Sequence, residues 1–120
     1  MTYFKPALFS LALVATNAFA ADCTPPEVPN IPDGGSSTME QMLEGQKAVK
    51  AFQAANLEYM NCLEPQLTEA TAKATAEDAS DEDKATLKTL EESYNGAVSK
   101  EEELAGAFNK SIGDYKAANP

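Results

Sequence analysis

Between Ser37 and Leu63 the chain repeats a stripe at alternating steps of three and four residues. Its members are Met42, Gly45, Val49, Phe52, Asn56, Tyr59 and Leu63. That spacing puts all seven on one face of a 3.6-residue helix. Met39, Ala55 and Met60 widen the face, while Glu40, Glu44, Lys47, Lys50 and Glu58 fall largely off it. No alternation at period two competes with this reading. Ser37, with Glu40 three residues on, predicts an N-cap of the capping-box type. Pro65 removes one intrahelical hydrogen bond and its ring crowds the carbonyl of Asn61, so a kink or a stop is expected there. Leu67, Ala70 and Ala74 carry the stripe on, which favours a kinked helix over about 37–76.

A second stripe follows an acidic reversal at 77–83. Leu87, Leu90, Tyr94, Ala97, Val98, Leu104, Phe108, Ile112 and Tyr115 share one side of a helix predicted over about 80–116. Ser80 with Asp83 repeats the capping pattern, and the acids of the first turn suit the positive end of the helix dipole. Asn95-Gly96 is a turn signal, and Ser99 with Glu102 offers another cap, so a three-helix arrangement is the alternative. The apolar phase passes through Gly96 without a slip, which favours one helix. Two striped helices joined by a short polar link make an antiparallel hairpin. A bare pair of helices is marginal against the entropy of ordering it.

Upstream of the first helix lies an arm, residues 21–36, holding Pro25, Pro26, Pro29 and Pro32 before Asp33-Gly34-Gly35. Proline at this density blocks helix and favours polyproline II. Val28 and Ile31 are one polyproline turn apart and can face the same way. Cys23 opens the arm, and Cys62, near the end of the first stripe, is the second of two cysteines. From Ser37 to Cys62 is roughly 37 Å at helical rise, and from Cys23 to Ser37 is roughly 43 Å as polyproline II. The lengths nearly match, so a Cys23–Cys62 disulfide can fasten the arm antiparallel along the helix. The competing reading is a disordered linker. The fold class predicted is therefore all-α, a long antiparallel helical hairpin with an extended arm clamped to its first helix.

The N-terminal sequence and the charge balance give an expected compartment and thin the list of partners. Lys5 followed by apolar Ala7 to Val14, then Ala18-Phe19-Ala20, has the form of a signal peptide over 1–20, cut between Ala20 and Ala21. No leucine stands three before Cys23, which argues against a lipoprotein. The chain is expected to be periplasmic or secreted, where a lone cysteine pair closes. Past residue 20 it carries 8 lysines against 19 carboxylates, with no arginine or histidine. Nucleic acid and anionic membrane surfaces are poor partners for such a charge, and no membrane insertion is expected after signal removal.

The series Cys23-x-x-Pro26-x-x-Pro29-x-Ile31-Pro32-Asp33-Gly34, then Met39, Met42, Gln46 to Phe52, Tyr59 and Cys62-Leu63, resembles a group of short secreted proteins of Gram-negative bacteria. The likeness covers about Cys23 to Leu63. It implies periplasmic export and the disulfide, and no chemistry.

The residues themselves point away from catalysis. Two cysteines without histidine do not make a zinc site of the usual kind. Met39, Met42 and Met60 are soft ligands suited to copper(I), yet they lie on or beside the core face. The acids from Glu77 to Asp83 lack the glycine and distal glutamate of a calcium loop. Glu101, Glu102 and Glu103 form a charge run of the kind that wets a helix face. No histidine base is available for a nucleophile. The chain is read as a non-enzyme, with no cofactor and no metal. Asn56 and Glu101 fall on otherwise apolar seams and read as register markers or partner-site edges, unless they simply reach solvent at the margin. Function then divides between a structural or interaction module, pairing with itself or an envelope protein, and an acid-stress or holdase-type chaperone. A divalent-cation binder is the weakest reading.

Overall fold

The computed structural model describes residues 23–120; the expected signal peptide and the Ala20/Ala21 cleavage point lie outside them. Two helices pack as an antiparallel hairpin, α1 from Met39–Ala74 and α2 from Asp81–Ala118. The arm, starting at Cys23, has no helix or strand of its own. It closes on a turn in which Ser36 N–H donates to the Asp33 carbonyl at 3.2 Å.

The first cap sits one residue later than expected. Thr38, not Ser37, is the N-cap, and Gln41 takes the place of Glu40. Gln41 N–H donates to Thr38 Oγ1 at 3.2 Å, and Thr38 N–H donates to Gln41 Oε1 at 2.8 Å. Both overlapping pairs satisfy the local rule. The arm's turn at Asp33–Ser36, seated on α2 through Gly34, delivers the chain to the helix a residue further on.

α1 runs without interruption through Pro65. Asn61 and Pro65 are both exposed, so the carbonyl that loses its partner lies on a wet face, where water replaces the missing N–H. Three threonines then back-bond to carbonyls four residues earlier: Thr68 to Glu64, Thr71 to Leu67 and Thr75 to Thr71. The link at 75–80 ends on the expected second box. Asp83 N–H donates to Ser80 Oγ and Ser80 N–H to Asp83 Oδ2, both at 3.1 Å. α2 is one helix through Asn95-Gly96, and it continues two residues past the expected end.

The main core lies towards the chain ends, away from the link. Met42, Val49 and Phe52 of α1 meet Leu104 and Phe108 of α2, with Ile31, Ile112 and Tyr115 packed against them. Towards the link only Leu63, Ala70 and Ala97 are fully buried among the apolar residues. Alanine and threonine there offer little area to remove from water. Two expected stripe members are left out: Met39 is 57% exposed and Val98 36%.

Candidate functional site

The hairpin has two unlike broad faces, and helical phase decides which residues occupy each. Positions one step before the seam on both helices face the arm. Positions one step after it face the other way, on the same side for both helices because they are antiparallel.

On the covered face, the disulfide joins Cys23 to Cys62 with Cα atoms 5.7 Å apart, and both cysteines are paired in it. Gln66 Nε2 lies 3.1 Å from Cys23 Sγ. Pro25 and Pro26 share a groove of about 230 Å³ with Asn56 and Tyr59 of α1 and Gly96 and Lys100 of α2. At the far end Ser111 Oγ donates to the Pro32 carbonyl at 2.5 Å and lies 3.8 Å from Met42 Sδ. Two glycines make this seat. A Cβ on Gly45 would stand 2.8 Å from Pro32 Cδ and Cγ, and one on Gly34 would stand 1.8 Å from the Ser111 carbonyl oxygen. The arm therefore wedges between both helices rather than lying on α1 alone.

Asn56 and Glu101, singled out in the sequence as polar members of apolar seams, meet each other. Asn56 is 1% exposed. Its Nδ2 donates to the Ala97 carbonyl at 3.0 Å and to Glu101 Oε2 at 3.3 Å. Among the described residues no buried side-chain polar atom lacks a partner. Asn56 does not reach solvent at the seam's margin, as one reading allowed, while Glu101 stays half-buried.

The other face carries no arm. Leu43 is 51% exposed and Leu57 55%, with exposed Met39 and Val98 beside them. On α1 the positions 39, 43, 46, 50, 53, 57, 60, 64 and 67 form a second three-four series, displaced by one residue from the core seam. It mixes Met39, Leu43, Leu57, Met60 and Leu67 with Gln46, Lys50, Gln53 and Glu64.

The candidate chemistry is dispersed. Met42 is in the core, Met39 is on the surface, and Met60 is 21 residues from Met39, roughly 31 Å of helix. These three sulfurs do not converge. Among the described residues no group of three or more Cys, Asp or Glu is gathered as a metal would need. No helix there is long and apolar enough to cross a membrane. The clear charge perturbations are at exposed ends. The Ser80 backbone N–H, donating to the Asp83 carboxylate, and then the Ser80 hydroxyl beside it hold the Asp83 carboxyl below its ordinary range. A hydrogen bond from Lys110 to Asp114 at 2.9 Å, then the Asp114 charge and that of the arm's Asp33, raise the Lys110 ammonium.

Ser111 and Gln66 were not anticipated. Ser111 interrupts the run Phe108, Ile112, Tyr115 with a small hydroxyl, and that interruption was the available signal. No protein-family model, curated protein or solved structure matches this chain.

Proposed function

We propose that this protein is a non-catalytic interaction module of an oxidising compartment, the periplasm or the exterior of the cell. In this reading the arm-free face of the hairpin takes a protein partner. The observation that carries it is the asymmetry of the two faces. One is filled by a disulfide-fastened arm, whereas the other leaves Leu43 and Leu57 more than half exposed on a regular helical series. Exposed apolar side chains standing singly are ordinary, but here Met39 with Leu43 and Leu57 with Val98 make two apolar patches set among polar residues on one arm-free face, and grouped exposure of that kind marks an interface. The disulfide and the signal-like N-terminal sequence support the compartment. The strongly negative surface fits a soluble protein that avoids nucleic acid and anionic lipid.

A photo-reactive residue placed in turn at Leu43, Leu57 and Glu44 tests the reading in intact cells. Glu44 borders the arm and serves as the reference position. Adducts from positions 43 and 57 in excess of position 44 are expected. Equal or no cross-linking at all three removes the proposal.

A further inference from the structure

We infer that the arm-free face is occupied by a second copy of this chain, giving an antiparallel four-helix dimer about a two-fold axis parallel to the helices. This rests on the reading that the face binds protein, and it names the occupant. The register comes from the buried amide: Asn56 spans Ala97 and Glu101. That pairing sets Leu57 level with Val98, Gln53 with Glu102, Lys50 with Ala105, Gln46 with Asn109 and Leu43 with Ile112.

A two-fold axis along the hairpin lays each α1 over the other copy's α2 at the same height, so every helix gains a second antiparallel neighbour. The match that results is self-complementary. Leu57 and Leu43 fall on the second copy's Val98 and Ile112, two apolar patches in register. Between them lies a polar belt of Gln46, Gln53 and Asn109. There Lys50, the one cation of the α1 series from 39 to 67, comes within a helical turn of the second copy's Glu102. Like charges bound the seam: Glu64 and Glu91 are level, so continuing it towards the link would stack carboxylate on carboxylate. The match thus ends near Met60, which fixes one register over the half of the hairpin that holds the core.

Sedimentation equilibrium of the disulfide-bonded protein tests this. A reversible dimer is expected, tightened by salt, because screening relieves the repulsion between two acidic chains. Leu57→Glu should weaken it by about tenfold or more while leaving helical circular dichroism unchanged, since one desolvated charge exceeds the 1.4 kcal/mol that a tenfold change represents. Lys50→Glu and Glu102→Lys should each weaken it by about fivefold, the scale of one exposed pair. The charge-swapped double variant should recover most of that loss. A monomer at all concentrations, or a dimer indifferent to Leu57→Glu and to the charge swap, overturns the inference. The photo-adducts separate its failure from that of the broader reading. Adducts at 43 and 57 with a different protein, from a chain monomeric alone, overturn the second copy and leave the binding face standing. Absence of adducts removes both.

Discussion

Asn56 is the most deeply buried large side chain of the described residues, and it is polar. An amide in that position is tolerable only when satisfied, since an unpartnered buried donor costs about 1–3 kcal/mol. Here the Ala97 carbonyl and Glu101 satisfy it. Truncation to Ala removes both bonds and opens a void, so Asn56→Ala should cost about 2–4 kcal/mol in urea unfolding. Asn56→Leu should recover most of that loss, because the volume returns and no donor is stranded. Equal stability of all three proteins would mean the amide has no energetic part. The sequence marked Asn56 and Glu101 individually, as polar members of apolar stripes. Their pairing was not legible, because a stripe fixes the phase of each helix and leaves the sliding of one along the other open. Gly34 was also opaque. Asp33-Gly34-Gly35 reads as a turn, and only the approach of α2 shows that the Ser111 carbonyl occupies the space of the missing side chain. Gly34→Ala should therefore unseat the tip of the arm, seen as faster hydrogen exchange at Gly35 and Ser36, whose N–H groups donate to Asp33.

Caps, arm and helices differ in how local their causes are, and legibility follows that difference. The Ser80–Asp83 box is wholly local and forms as read. The Thr38–Gln41 box competes with an overlapping neighbour, and the tertiary seating of the arm decides between them. Pro65 shows the same limit: whether the helix stops or continues depends on the stripe beyond it and on a wet carbonyl. The Ser80–Asp83 box also has a pH signature. Because the folded carboxyl of Asp83 lies below its ordinary value, its contribution is complete above the unfolded carboxylate range, near pH 3.9. It is lost as pH falls through the folded value. The melting-temperature gap between wild type and Asp83→Asn should hold steady at neutral pH and narrow below about pH 4. A gap that is flat to pH 2 would dissociate the carboxylate from the cap. The disulfide acts through the unfolded chain. It joins residues 39 apart, and a closure of that size contributes about 4 kcal/mol in the chain-entropy model. The Cys23→Ser, Cys62→Ser protein should lose about that much in urea, with the helices retained.

At the scale of the whole molecule the hairpin is graded rather than uniform. Its half near the chain ends has three layers of support: aromatic and aliphatic seam residues, the wedged arm, and the covalent fastening at Cys62. The half near the link has a seam of Leu63, Ala70 and half-buried Leu67, Leu87 and Leu90, and the arm does not extend past Gln66 along it. Its ion pairs do not compensate. Lys73–Glu69 and Lys88–Glu92 are exposed pairs within single helices, worth a few tenths of a kcal/mol each and silent about tertiary structure. Opening of the link half therefore exposes little apolar area and breaks no buried polar bond, which sets a low free energy for local unfolding. Native-state hydrogen exchange should resolve two units. Amides of about 70–74 and 83–92 should exchange through an early sub-global opening, and those of 49–56 and 100–108 only through global unfolding. Reducing the disulfide should lower the protection of the second group and leave the first nearly unchanged, because the arm's contacts with α1 end at Gln66, before that group begins. Uniform protection along both helices would show instead that the pair unfolds as one cooperative rod, with the arm adding stability equally everywhere.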